Sequence, residues 1–355
     1  MGGADRRLAN GAYAVALALM VGWILFVGRG LLTPIVAAVL AVFVITGLSN
    51  LLTRIPRLAA LPGWGRDLIA AGLIVFLLVE LVALAIANIG ALAARAPNYQ
   101  TALLDAFQRI AMFLDLDHEE ALRELRAETA RVLNLPSFLR AAAGSIAAML
   151  AVLVFVLLNI GFLMVERRDF VEKLGKLGLE PAQRARLGEV LDDVSARVGR
   201  YLAVQTLLNI ALGVLSWAIM RAFGLEFAVV FAIVIAALNF IPYFGSFIGV
   251  AFPVAAALVQ FPEPGAAVWL AIWLAGAQFL IGNIVAPKVM GDSLNLSPWA
   301  ILVGLTFWTS LWGVAGAVFS VPIMAVAVVV LSEFESTRPF AVMLSRKGEL
   351  GAPRG

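Results

Sequence analysis

The chain has no cysteine and a single histidine, His118. Disulfides, thiolate nucleophiles and cysteine-ligated metals are therefore excluded. Haem ligation by paired histidines goes with them. Charge is also scarce: Asp, Glu, Lys and Arg supply 14% of the 355 residues, against about 25% in a soluble globular chain. There is no Gly-x-x-x-x-Gly-Lys-Ser/Thr loop, so ATP hydrolysis through a Walker fold does not power it.

What remains of enzyme chemistry is thin. The stretch Asp115-Leu116-Asp117-His118-Glu119-Glu120 has metal-binding residue types, but it reads as a solvated first helical turn with acids at its positive end. Gly291-Asp292-Ser293-Leu294 spells a serine-hydrolase motif, yet no histidine follows residue 118 to act as its base. Neither an enzyme, a bound metal nor a cofactor is expected.

Apolar residues, by contrast, make up 62% of the chain, and the mean hydropathy is +0.98. So little polar surface cannot cover a soluble protein of this length, and a lipid bilayer is the missing solvent. The formal charge is +3, but the 26 Lys and Arg stand at the ends of apolar segments. That scatter suits membrane-edge anchoring and not nucleic-acid binding.

About 20 apolar residues span the hydrocarbon core. Arg6 and Arg7 precede Gly11–Val27, which reads as a first span and not a cleaved leader. Leu31–Leu52 follows, with Pro34 in its first turn, and then Leu68–Ala94. These make an N-terminal block over 1–94. Residues 95–140 mix charges with helical stripes such as Leu103, Phe107, Ile110 and Leu114, and read as an extramembrane helical insert. A fourth span occupies 141–165, and 166–200 is a cytoplasmic amphipathic helical region. A transmembrane core over 201–335 and a cytoplasmic tail over 336–355 complete the chain.

Within that core, Phe227–Phe240 and Ile248–Phe261 are short apolar halves on either side of Ile241-Pro242-Tyr243-Phe244-Gly245. They form either a re-entrant or broken hairpin lining protein or water, or two short spans joined by a tight turn. Gly265–Val285 is the next span. Pro298–Leu331, at 34 residues, is too long for one helix at ordinary tilt, and Gly313 and Gly316 offer its break. The fold class expected is all-α: a polytopic membrane protein with about eight passes, hairpin arms included. Lys and Arg near span ends place both termini in the cytoplasm of a bacterial inner membrane.

Glu80 stands inside the third span. A carboxylate there belongs facing the protein interior or a watery cavity. It either binds a coupling proton or cation, or hydrogen-bonds a neighbouring helix. Gln205, Asn209, Asn239, Gln278 and Asn283 are amides within or at the ends of spans, placed either to line a solute route or to join helices. Gly245 and Gly249 form a small-x-x-x-small pair that permits close helix approach.

Four ordered motifs carry a resemblance. They are Tyr201-Leu202-Ala203-Val204-Gln205; Asn239-Phe240-Ile241-Pro242-Tyr243-Phe244-Gly245-Ser246-Phe247-Ile248-Gly249 with Pro253 after it; Asn283-Ile284-Val285-Ala286-Pro287-Lys288-Val289-Met290-Gly291 leading to Leu294-Asn295-Leu296-Ser297-Pro298; and Gly313-Val314-Ala315-Gly316 followed by Val321-Pro322. From about Gly199 onward the chain resembles the autoinducer-2 exporter-like permease family. Ser246 and Ser297 depart from that pattern, at positions often held by proline and histidine.

The resemblance implies a multispan, homo-oligomeric permease, in a family linked both to autoinducer-2 export and to sodium/proton antiport. It carries over Gln205, Asn239, Pro242, Gly245, Gly249, Asn283, Pro287, Gly291 and Pro298 as residues shaping a Pro/Gly-broken, amide-lined region. The leading expectation is gradient-coupled export of a small polar solute. The runner-up is a monovalent cation/proton antiporter, and a third reading is a non-transporting membrane scaffold.

Overall fold

A computed structural model describes residues 3–80, 82–84, 87, 146–175, 180–261, 263–290, 295–346 and 348. The expected 95–140 insert and Gly291 lie outside the described residues. Regular structure among the described residues is helical, apart from an isolated antiparallel bridge between Leu296 and Ser345. In chain order the helices are α1 (Gly3–Val27), α2 (Arg29–Leu52), α3 (Pro56–Ala59), α4 (Gly63–Leu84), α5 (Ile146–Gly175), α6 (Pro181–Ala222), α7 (Ala228–Leu238), α8 (Phe244–Gln260), α9 (Pro264–Phe279), α10 (Ala286–Met290), α11 (Pro298–Ser332) and α12 (Arg338–Leu344). Five helices are long and apolar enough to cross a membrane, and α7 and α8 are shorter apolar helices. The chain is an all-α, multi-pass membrane protein.

Two expected boundaries move. Gly28 alone separates α1 from α2, and helical hydrogen bonds run through it from the Gly28 N–H to Ile24 O (2.8 Å) and from the Leu32 N–H to Gly28 O (2.9 Å). The connection expected around Arg29 is therefore a bend, and Pro34 lies inside α2 instead of in its first turn. Likewise α5 continues past the expected edge at 165 to Gly175, where Lys173 pairs with Glu166. Polarity changes at these points, but no residue there forbids another helical turn.

The chain divides into two compact units, with α6 contributing to both. One comprises Met1–Leu51, Val154–Leu202 and Ser293–Gly355. Its core includes Leu40, Val194, Val198, Leu202, Val321, Val328 and Ala341. Helices α2 and α6 meet closely where Gly199 faces the Phe43 carbonyl; a Cβ there would lie 2.9 Å from that oxygen.

In the same unit α11 doubles back on itself. Gly313 adopts φ 62°, ψ −139°, a combination that only glycine visits without strain. The two arms then run against each other, so that Gly304 packs on Met324 and Gly316 on Trp308. The Ser297 hydroxyl caps the first arm by accepting from the Ala300 N–H at 3.1 Å, with Pro298 at the first helical position. Helix α12 closes the open end, where the Ser297 N–H donates to Leu344 O at 2.9 Å. The 34-residue apolar block is a helical hairpin.

The other unit comprises Leu52–Leu153 and Ala203–Asp292. Its core joins Leu208, Leu212 and Met220 of α6 to Phe231 and Ile235 of α7, Ala257 of α8, and Leu270 and Leu274 of α9.

Candidate functional site

The second unit holds Gln205, the Asn239–Gly249 motif with Pro253, and the described part of the motif that begins at Asn283. Helix α6 ends at Ala222, and the chain turns through Gly224 (φ 73°) and Phe227 (φ 55°) into α7. Gly213 on α6 lets α7 approach, with a Cβ there meeting Ala236 at 3.1 Å. Helix α7 has 11 residues, or roughly 16 Å of length, about half the hydrocarbon thickness. It cannot cross a bilayer. It instead forms one arm of a hairpin with α8.

The tip of that hairpin explains its motif residue by residue. The Asn239 N–H completes α7 by donating to Ile235 O at 3.0 Å, and the Ile241 N–H donates to Leu238 O at 2.8 Å. Pro242 has no N–H to leave unpaired. Tyr243 takes φ 64°, ψ −56°, and the Phe244 N–H donates to Pro242 O at 2.7 Å. That pair of facts defines a γ-turn of the rare, strained hand. Strain of this kind persists where surrounding structure over-determines it, and it concentrates at functional sites.

Glycine then becomes obligatory. A Cβ on Gly245 would stand 1.8 Å from the Leu238 carbonyl oxygen, while one on Gly249 would stand 3.4 Å from Ile235 Cα. Pro253 is buried inside α8. At the open end Gln260 clips the arms: its Oε1 accepts the Glu226 N–H and its Nε2 donates to Gly224 O, both at 2.8 Å.

Beside this tip lies an amide cluster, half-buried except for the fully buried Asn209. Gln205 Nε2 donates to Asn209 Oδ1 at 2.9 Å and to the Asn239 backbone carbonyl at 3.2 Å. Asn239 Nδ2 donates to the same Asn209 Oδ1 at 2.8 Å. The Ser246 hydroxyl reaches Asn239 Oδ1 at 3.4 Å. Asn209 is 2% exposed, yet its Nδ2 has no hydrogen-bond partner among the described residues. The bonded set contains no ionisable side chain. Helix periodicity places Gln205 and Asn209 one turn apart on one face of α6; the hairpin tip supplies the other two members.

Three of the six polar residues singled out from sequence thus converge: Gln205, Asn209 and Asn239. Ser246, seen in the sequence only as a departure from a family pattern, joins them. Its signal was a hydroxyl one residue beyond the obligatory glycine. Gln278 is half-buried on α9, with an unpartnered Nε2, and no hydrogen bond links it to the cluster among the described residues. Asn283 is exposed on a π-helical turn over Leu280–Val285, marked by the Ala286 N–H donating five residues back to Ile281 O. Pro287 accounts for that turn, because its ring crowds the carbonyl four residues earlier, that of Asn283. Glu80 was expected to face the protein interior. It is exposed on α4, without a hydrogen bond or ion pair among the described residues; its helix is the most peripheral of the five long ones. Pro322 and Gly316 are buried in the α11 hairpin.

This arrangement places hydrogen-bonding side chains inside a membrane protein. The sequence profile described as AI-2E family transporter matches residues 13–336.

The chain belongs to the AI-2E transporter family.

A putative transport protein of Borreliella burgdorferi is 34% identical over 208 residues, covering 58% of this chain and 57% of that protein. The chain therefore matches only a little over half the length of that relative. The AI-2 transport protein TqsA of Escherichia coli K12 is 28% identical over 323 residues, covering 88% of this chain and 89% of TqsA. The putative transport protein YrrI of Bacillus subtilis is 30% identical over 173 residues, or 49% of this chain and 48% of YrrI. The AI-2E family is one of transporters, not of enzymes.

Proposed function

We propose that this AI-2E family protein is a permease that exports a small polar solute, driven by an ion gradient, with the Gln205–Asn209–Asn239–Ser246 cluster as its recognition point. The observation that carries the reading is the unpaired Nδ2 of buried Asn209 beside a strained, half-length hairpin. Broken helices at membrane depth are tolerated where they line a cavity, and they supply binding groups there. The relative TqsA, an AI-2 transport protein, makes the autoinducer AI-2 the first solute to try. Location in a bacterial inner membrane, cytoplasmic termini and homo-oligomeric assembly belong to the same proposal; the distribution of Lys and Arg supports the orientation.

Cation/proton antiport ranks second. A coupling carboxylate in a membrane belongs in a protein-lined site, and Glu80 is exposed, without such a site among the described residues. The test is efflux of AI-2 from proteoliposomes under an imposed proton gradient. Efflux above that of empty liposomes supports the permease. Collapse of the proton gradient on adding sodium or lithium, with no solute efflux, replaces it with the antiporter.

A further inference from the structure

The hydrogen-bond direction of the amide cluster is set by a group that cannot turn over. The oxygen and nitrogen ends of an Asn or Gln amide are assigned from the surrounding network, and here the network begins at the Asn239 backbone carbonyl, which only accepts. The Gln205 end facing it at 3.2 Å must therefore be the donor, Nε2. That same Nε2 lies 2.9 Å from Asn209, so the Asn209 end facing it must be the acceptor, Oδ1. Asn239 approaches that oxygen at 2.8 Å and must present its own Nδ2. Its remaining end, Oδ1, then accepts from Ser246. Reversing any one amide sets oxygen against oxygen or nitrogen against nitrogen, and reversing all three sets Gln205 Oε1 against the Asn239 carbonyl.

The outcome is a surplus donor. Asn209 Oδ1 carries two hydrogen bonds, and Asn209 Nδ2, whose two N–H groups point the other way, carries none among the described residues. A buried amide donor left unpaired costs on the order of 1–3 kcal/mol, so native structures rarely keep one without a use. A second orphan extends the pattern. Ser216 lies seven residues further along α6, on the same face, is 1% exposed, and its Oγ also lacks a partner among the described residues.

We infer that Asn209 Nδ2 is the point at which the cluster recognises an oxygen acceptor of a polar solute, a hydroxyl or carbonyl oxygen, and that this donor end rejects a desolvated monovalent cation at the same position. A cation stripped of water needs oxygen lone pairs aimed at it. At the Asn209 Nδ2 position it meets N–H groups instead, while Asn209 Oδ1 and Asn239 Oδ1 already accept hydrogen bonds within the cluster. The inference deepens the permease reading and rests on it for the identity of the solute, but the donor geometry stands on its own.

The discriminating substitution is Asn209→Asp, which keeps an acceptor for Gln205 and Asn239 and turns the surplus donor into an oxygen. The full chain in nanodiscs is examined with erythritol by saturation-transfer NMR, and with sodium or lithium chloride against choline chloride by thermal unfolding. Wild-type protein should transfer saturation to erythritol and show no melting shift specific to sodium or lithium. In Asn209→Asp the erythritol signal should fall on the order of tenfold, the loss of one buried hydrogen bond, and a sodium-specific rise in melting temperature should emerge. Three results overturn the inference: no saturation transfer to wild type, equal transfer to wild type and Asn209→Asp, or a wild-type sodium shift that Asn209→Leu abolishes. Erythritol binding without solute efflux would leave the inference standing and remove the permease; efflux indifferent to Asn209→Asp would do the reverse.

Discussion

Gly245 and Leu238 approach each other across the first hairpin so closely that a Cβ on the glycine would stand 1.8 Å from the leucine carbonyl oxygen. Four residues on, Gly249 faces Ile235 Cα at an ordinary 3.4 Å. The two glycines of one small-x-x-x-small pair therefore do different work. Gly245→Ala forces the tip open and should destabilise the protein by about 1–3 kcal/mol, with solute flux lost. Gly249→Ala should be nearly neutral. Thermal unfolding of both variants in nanodiscs checks the contrast, and equal destabilisation would contradict it.

The second hairpin gives a matching pair. Gly313 holds φ 62° with open space where a Cβ would go, whereas Gly304 faces the Met324 side chain at 2.5 Å in normal helical conformation. Gly313→Ala is therefore a backbone problem, costing about 1–3 kcal/mol. Gly304→Ala is a packing problem: its Cβ meets Met324 at Cγ, the root of that side chain, so the methionine must change rotamer or the arms must part, at about 1–3 kcal/mol. The measurement is again unfolding, and adding Met324→Ala should relieve Gly304→Ala while leaving Gly313→Ala as weak as before.

Gln260 fastens the open end of the first hairpin through Glu226 and Gly224. Replacing it by Leu removes both bonds but leaves the tip untouched, at a cost of about 1 kcal/mol for each exposed bond at most. Hydrogen exchange should rise at residues 224–228 and stay unchanged at 239–245. Exchange rising equally at the tip would show that the two ends are not independent.

Glu80 is exposed and unpaired among the described residues. Glu80→Gln should therefore leave efflux of a neutral solute unchanged at every imposed proton gradient. Loss of the gradient dependence in this variant would return Glu80 to the coupling role that its position in an apolar span suggests.

Much of this architecture was legible in the residues, for identifiable reasons. Apolar length marked the spans, and Pro242 with Gly245 marked the break between α7 and α8 because their backbone demands are local, without deciding between a hairpin and two short spans. Gly313 marked the second in the same way. What the sequence could not display was pairing. Gln205 and Asn209 share a helix face, but their meeting with Asn239 depends on α7 folding back along α6, a tertiary event. Ser246 was visible only as an oddity for that reason. The junction of α1 with α2 and the end of α5 were misjudged because polarity changes there without a helix-breaking residue. Glu80 was expected inside because a carboxylate in a span is costly in lipid, but the one protomer leaves it exposed.

To serve as a recognition point, the tip beside the amide cluster has to face the solute path. Because the chain contains no cysteine, a single Ser246→Cys substitution provides a unique label site in an otherwise native protein. Membrane vesicles carrying this variant would be treated with a membrane-impermeant thiosulfonate, with and without AI-2 present. The cysteine should be modified from water, and the solute should slow its modification. A cysteine that stays unmodified from both sides of the membrane, in protein that folds and inserts as wild type, would contradict it.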